Sequence, residues 1–249
     1  MRLLLLNGNT DPAITGLLAT RAAEAIPRLG LAPAEIVPVT APFGAHYIST
    51  RAAVAVAGHA VLAALAEHVG RDNPRRFDAA LIACFGEPGI EAAREVLPIP
   101  VFGMAEASLA AALAIAPRIA LLTGGALWVP MLEEFALLRG HGRDRVLVRG
   151  VAPTGDMIAR DPDGAVALLA DAAAEAARDG AGAVVLGGAG LAGLAGKVAP
   201  SVPVPVLDSL DCALAAALGS APGVPPRVVQ APQIGLSGDL ARLLAGAHA

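Results

Sequence analysis

The chain has 249 residues, 55% of them hydrophobic, 16% charged and only 3% aromatic, with a formal net charge of −4. No basic cluster stands out, which argues against nucleic acid as a partner, and two cysteines with five scattered histidines suggest neither a disulfide framework nor a metal site. The apolar residues fall in short runs, none near the roughly 18 that a membrane span needs, and "MRLLLLNGNT" is a poor signal peptide, so a cytoplasmic protein with no membrane partner is expected.

In chain order, short β-branched or Leu-rich runs alternate with Ala-rich helical stretches. Strands are expected at Arg2–Leu6, Glu35–Val39, Ala79–Ala83, Val101–Gly103, Ile119–Thr123, Val146–Val151, Ala183–Gly187 and Val204–Leu207. Helices are expected at Ala13–Ala25, Arg51–His68, Ser108–Ile115, Pro130–Leu138 and Asp163–Arg178. In the last of these, Pro162 opens the segment, while Arg178 and Gly180 close it. Such alternation predicts an α/β fold with mostly parallel sheets flanked by helices.

The chain also repeats itself. "DAALIACFGEPGIEAAREVLPIPVFGMAEASLAAAL" from Asp78 is echoed by "GAVVLGGAGLAGLAGKVAPSVPVPVLDSLDCALAAAL" from Gly182. A weaker echo sets "RLLLLNGN" at Arg2 beside "RIALLTGG" at Arg118, which aligns Asn7 with Thr123. Two pseudo-symmetric lobes are expected: residues 1–115 with 219–249 crossing back to complete them, and residues 116–218. A cleft between them would receive strand C-terminal ends, where ligands of such sheets bind. Cys84 and Gly188 then occupy equivalent positions, a thiol in one lobe and no side chain in the other.

Several pieces resemble the Asp/Glu/hydantoin racemase superfamily, the hydantoin racemase branch most closely. They are "LNGNT" after the first strand, "YIS" at Tyr47, "ACFGEPGIEAARE" at Ala83, "PVFGMAEA" at Pro100, "LLTGG" at Leu121 and "LGGAGLAG" at Leu186. The resemblance implies a cofactor-independent enzyme with a small-molecule substrate, in which thiols move a proton at a carbon α to a carbonyl. It places Cys84 as the catalytic thiol and Gly188 where the family has a second cysteine. Asn9, Thr10 and Thr123 match substrate-contacting positions, with Gly8 standing where the family usually has proline. Tyr47 lies in a loop that can close over a site. Backbone N–H groups of Phe85, Gly86, Gly188 and Ala189 are candidates to hold an enolate oxygen. A single-thiol decarboxylase (arylmalonate decarboxylases are similar) or isomerase, and a binding protein without catalysis, remain open, as does a homo-oligomer.

A thiol just before a helix should have a lowered pKa, because helix N-termini and N–H groups favour the thiolate. Cysteines are also frequently inert core residues. Cys212, within "LDCALAAAL", is read that way, and Trp128 as packing. Glu87 and Glu106 are either site acids or ordinary helix N-terminal carboxylates. His59 and His68 are expected on a helix flank. "GGAGLAGLAGK" is not a nucleotide-binding P-loop, because Leu191 stands where the first glycine belongs and Val198 replaces the Ser/Thr.

Overall fold

The computed structural model describes residues 1–151, 161–219 and 235–245. These divide into two compact units, one built from Met1–Gly103 with the chain from Leu214 onward, the other from Met104–Ala213. The break falls at 103/104 rather than after 115, because the helix following the fourth strand belongs to the second unit.

In the first unit, β1 (Arg2–Asn7), β2 (Glu35–Thr40), β3 (Ala79–Ile82) and β4 (Val101–Gly103) form a parallel sheet in the order β2-β1-β3-β4. Strands β1 and β3 are central, and Leu3–Leu6 and Ala79–Ile82 are all fully buried. Their unbroken apolar runs are what a strand covered on both faces requires. Pro38 has no N–H to give a ladder, and it lies in β2, at the sheet edge where that loss is tolerated. The helices here are α1 (Pro12–Arg28), α2 (Arg51–His68) and α3 (Ile90–Val96). Asp11 caps α1 by accepting from Ala13 N–H, with Pro12 in the first turn. Leu4 and Leu6 share a core cluster with Val61 and Leu65 of α2 and Ile90 and Val96 of α3. Leu240 and Leu243 of the last helix (Gly238–Ala245) join the same cluster, so this C-terminal segment completes the first unit.

The second unit repeats the plan. Strands β5 (Ile119–Gly124), β6 (Val146–Val151), β7 (Val184–Gly187) and β8 (Val206–Asp208) form a parallel sheet ordered β6-β5-β7-β8. The helices are α4 (Met104–Ile115), α5 (Trp128–Leu138), α6 (Pro162–Arg178), the single turn α7 (Ala195–Val198) and α8 (Ser209–Gly219). Helix α8 straddles the boundary between the units. The last helix (Gly238–Ala245) is α9. Asp161 caps α6 through Gly164 N–H, and Gly180 beyond its end has φ +93°. Helices α4 and α5 begin earlier than expected, at Met104 and Trp128 rather than Ser108 and Pro130.

The registers make the repeat concrete. Leu6 pairs with Ile82 in the first sheet, and Leu122 pairs with Leu186 in the second. Cys84 and Gly188 each lie two residues beyond these paired strand positions. By the same count Gly103, paired with Ile82, corresponds to Asp208, paired with Leu186.

One contact in the second sheet has no slack. A Cβ at Gly150 would lie 2.8 Å from Ala126 Cα and 2.9 Å from Gly125 O, both rigid backbone. Gly150→Ala should therefore destabilise by about 1–3 kcal/mol, read as a lower thermal midpoint. Gly196→Ala, in open space within α7, should melt at or slightly above the parent temperature.

Candidate active site

In the first unit, the residues singled out from the sequence gather at the C-terminal edge of the sheet. The core of this region is Asn7, 1% exposed at the end of β1. Its Nδ2 donates to Asn9 Oδ1 at 2.8 Å, with the Asp11 carbonyl and Thr15 Oγ1 each at 3.0 Å, while its Oδ1 accepts from Asn9 N–H. Asn9 Oδ1 also accepts from Asp11 N–H at 2.9 Å. With that oxygen committed twice, the amide Nδ2 is the end of Asn9 suited to meeting a ligand, and it can only donate. The next residue, Thr10, ties the β1–α1 loop to the loop after β2, its N–H donating to Ala45 O at 3.2 Å. His46 Nε2 adds a 3.4 Å contact to Asp11 Oδ2. Tyr47 is thus carried on a loop fastened beside Asn9 and Thr10. Its phenol pKa is pushed up, first by burial and then by the proximity of Cys84.

Cys84 leaves the central strand β3 into a tight turn closed by Glu87 N–H donating to Cys84 O at 2.9 Å. The residue is partly exposed, yet surrounding atoms strip water from its sulfur. Burial pushes the thiol up to about 11, and the nearby Glu87 carboxyl adds to that; backbone N–H groups of Gly86 and Glu87 pull the other way. The expected lowering of this pKa is therefore corrected. Two N–H donors are present, but desolvation outweighs them, and α3 begins only at Ile90, six residues beyond the sulfur. At neutral pH the resting group is a thiol. The donors to sulfur come from Gly86 and Glu87, whereas Phe85 is buried at 4% exposure.

The turn is pinned by close approaches on two sides. A Cβ on Gly8 would sit 3.3 Å from Pro88 Cγ and 3.5 Å from Cys84 Cβ. Gly89, at φ +76°, lies so near α2 that its Cβ would meet Gly58 O at 3.0 Å. A β-carbon is costly at Gly89, where the backbone itself favours glycine; at Gly8 it requires the Pro88 ring to give by a few tenths of an ångström.

The second unit has its own set. Thr123 is buried near the end of β5. Gly188 follows β7 with φ +143° and donates its N–H to Ser209 Oγ at 3.5 Å, before the 3-10 turn Ala189–Leu191. A Cβ there would meet nothing nearer than Leu191 Cγ at 4.0 Å. Space for a side chain exists, although the backbone angle disfavours one. Asp208, 4% exposed, accepts from Gly193 N–H at 2.6 Å and Leu210 N–H at 2.9 Å. Its carboxyl is pushed up by burial and then by Asp211.

Ser209, whose Oγ accepts from Gly188 N–H, and Asp208, which holds the following loop at Gly193, escaped sequence reading. The one available signal was a carboxylate and hydroxyl at the β8–α8 junction where Gly103 and Met104 make the β4–α4 junction. Glu87 is not a first-turn residue of α3, where Glu91 holds that place, but a buried member of the Cys84 turn. Glu106 is in the first turn of α4 and lies 3.6 Å from Arg139 Nη2. Cys212 hydrogen-bonds Ser108, and burial pushes its thiol up to about 12. Trp128 is 8% exposed and packs. His59 and His68 both lie in α2, His59 edge-on to Phe43 with ring centroids 5.0 Å apart. Among the described residues no group of three or more His, Cys, Asp or Glu is arranged to hold a metal, and no helix is long and apolar enough to cross a membrane.

Comparison with known proteins agrees with the fold. The hydantoin racemase of Paenarthrobacter aurescens is 32% identical over 218 residues, 86% of this chain and 88% of that one. That of Rhizobium meliloti is 36% identical over 138 residues, 55% of this chain, so the match spans 57% of that relative's length. Among solved structures, allantoin racemase from Pseudomonas fluorescens superposes with a TM-score of 0.78 at 30% identity, covering 87% of this chain and 89% of its own. The sequence pattern described as Asp/Glu/Hydantoin racemase matches residues 3–217, and the chain belongs to that family of enzymes.

Proposed function

We propose that this protein racemises small molecules built on a hydantoin-type ring, and that Cys84 is the group that moves the proton. The observation that carries the reading is the setting of Cys84: a desolvated thiol on a partly exposed residue beyond a central strand, receiving two backbone N–H groups, with Asn9, Thr10 and Tyr47 at the same sheet edge. The named activities of the relatives support the substrate class. Hydantoin and allantoin share a five-membered ring in which one C–H lies between a carbonyl and a nitrogen.

The chemistry follows from what each group can do. A Cys84 thiolate takes the ring C–H proton, and the electron pair left on carbon moves into the adjacent carbonyl as an enolate. Donors such as Asn9 Nδ2 stabilise that oxygen. A proton from water then adds to the opposite face, giving the other enantiomer, while the Cys84 thiol returns the abstracted proton to water, so the sum is neutral in protons and electrons. A thiol at about 11 holds its own proton at neutral pH and is a ready acid, whereas only about one molecule in ten thousand carries the thiolate at pH 7.

Gly188 favours a second reading within the same superfamily. The turn equivalent to that of Cys84 has no side chain to move a proton, which suits one-sided delivery. There, an α-carboxylate leaves as CO2, its electron pair stays on carbon as the enolate, and the Cys84 thiol supplies the single proton.

Polarimetry on single enantiomers of 5-substituted hydantoins separates the two, with free amino acids and aryl-substituted malonates as comparison substrates. Loss of rotation with the hydantoins, and no CO2 from the malonates, is expected; CO2 release without hydantoin racemisation would replace the first reading with the second. The pH profile has a definite sign. Proton abstraction by a thiolate makes kcat/KM, corrected for uncatalysed racemisation, climb about tenfold per pH unit from 7 toward 9 and level only near the thiol's value. A rate that stays flat from pH 6 to 9 would exclude Cys84 as the rate-limiting base.

A further inference from the structure

Glu87 is a second unusual residue in the Cys84 turn. It is 3% exposed and has φ +45°, a region a glutamate rarely occupies. Its side chain reaches across to β4. A Cβ on Gly103 would fall inside the Glu87 carboxyl group and 2.8 Å from Glu87 Cγ, so the carboxyl occupies the gap left by the absent side chain at 103. The backbone N–H of the same Glu87 closes the turn onto Cys84 O and also donates to the Cys84 sulfur.

The second unit fills the corresponding place from the other direction. Leu191 stands in the turn where Glu87 stands, making the same closing bond, N–H to Gly188 O at 2.9 Å. Asp208 stands where Gly103 stands, and its carboxyl reaches back to the loop at Gly193 N–H, 2.6 Å away. In each unit, then, one buried carboxyl links the segment after the central strand to the neighbouring strand end. The turn supplies it in the first unit and the strand in the second.

We propose that Glu87 is a positioning residue for Cys84: its carboxyl, seated in the gap over Gly103, holds the turn that aims the Gly86 and Glu87 N–H groups at the sulfur. The importance of this brace for turnover rests on the reading of Cys84 as the proton-transfer group, but the brace itself can be read without any substrate. Among the described residues, two titratable groups face the sulfur, Glu87 from its own turn and Tyr47 from the loop after β2. Of these, Glu87 alone is coupled to the backbone donors.

The experiment follows iodoacetamide alkylation of Cys84 across pH 7–12 in the full chain, with the modified residue located by peptide mass because Cys212 is also a free thiol. Glu87→Gln keeps the shape of the brace and removes its charge, so the midpoint should move down by about one pH unit, whereas Glu87→Gly, equally uncharged but without the brace, should titrate higher than Glu87→Gln because the N–H groups lose their aim. Gly103→Ala should evict Glu87 and lower the thermal midpoint. Adding Glu87→Gly should recover most of that loss, since glycine both vacates the gap and accepts φ +45°. If Gly103→Ala alone does not fold, folding of the double variant gives the same answer. Equal Cys84 midpoints in Glu87→Gln and Glu87→Gly, or a double variant as damaged as the sum of its singles, would overturn the proposal. Because alkylation needs no turnover, these results stand whether or not Cys84 proves to be the proton-transfer group.

Discussion

The sulfur of Cys84 is held between two opposed demands, and the rest of the site is arranged around that contest. Burial and a neighbouring carboxyl favour the neutral thiol; two backbone N–H groups favour the thiolate. The outcome, a group near 11, is a thiol that keeps its proton until something in the site makes giving it up worthwhile. Neither side could be fixed without a rigid turn. Its rigidity comes from the central position of β3, from Gly8 admitting the Pro88 and Cys84 side chains, from Gly58 admitting the backbone of Gly89, and from Glu87 locked over Gly103.

The two units show how one scaffold carries different chemistry. Strand order, register and the closing bond of the turn are the same in both. What differs is the side chain at the head of the turn and the direction from which the bracing carboxyl arrives. The first unit spends its acid on the turn beside the thiol. The second places Asp208 on the strand and leaves Gly188 without a side chain, its N–H directed to Ser209. Duplicated frames of this kind let one turn acquire a reactive group while the other keeps only backbone donors.

The eight strands among the described residues were legible because their signal is local: short runs of Val, Ile and Leu between Gly, Pro and Asn. So was the repeat, and through it the pairing of Cys84 with Gly188 that the registers bear out. The helix starts at Met104 and Trp128 were missed because the strand passes into helix at Gly103-Met104 with no capping residue, and α5 likewise opens without a side-chain cap. The pKa direction at Cys84 was misjudged for a different reason. N–H donors are implied by a turn in the sequence, but the desolvation that outweighs them depends on what packs around the sulfur, which only the folded chain reveals. Glu87 was left between two readings for the same reason, since its partner Gly103 is 16 residues away and is recognised by the absence of a side chain.

The most direct test of the account is solvent exchange at the ring carbon. A single enantiomer of a 5-substituted hydantoin, incubated in D2O with the protein and followed by proton NMR, should lose its C5–H signal. The same incubation with Cys84→Ala, folded as judged by circular dichroism, should exchange at least about a hundredfold more slowly. Exchange at the parental rate in Cys84→Ala would contradict the assignment of proton transfer to that thiol.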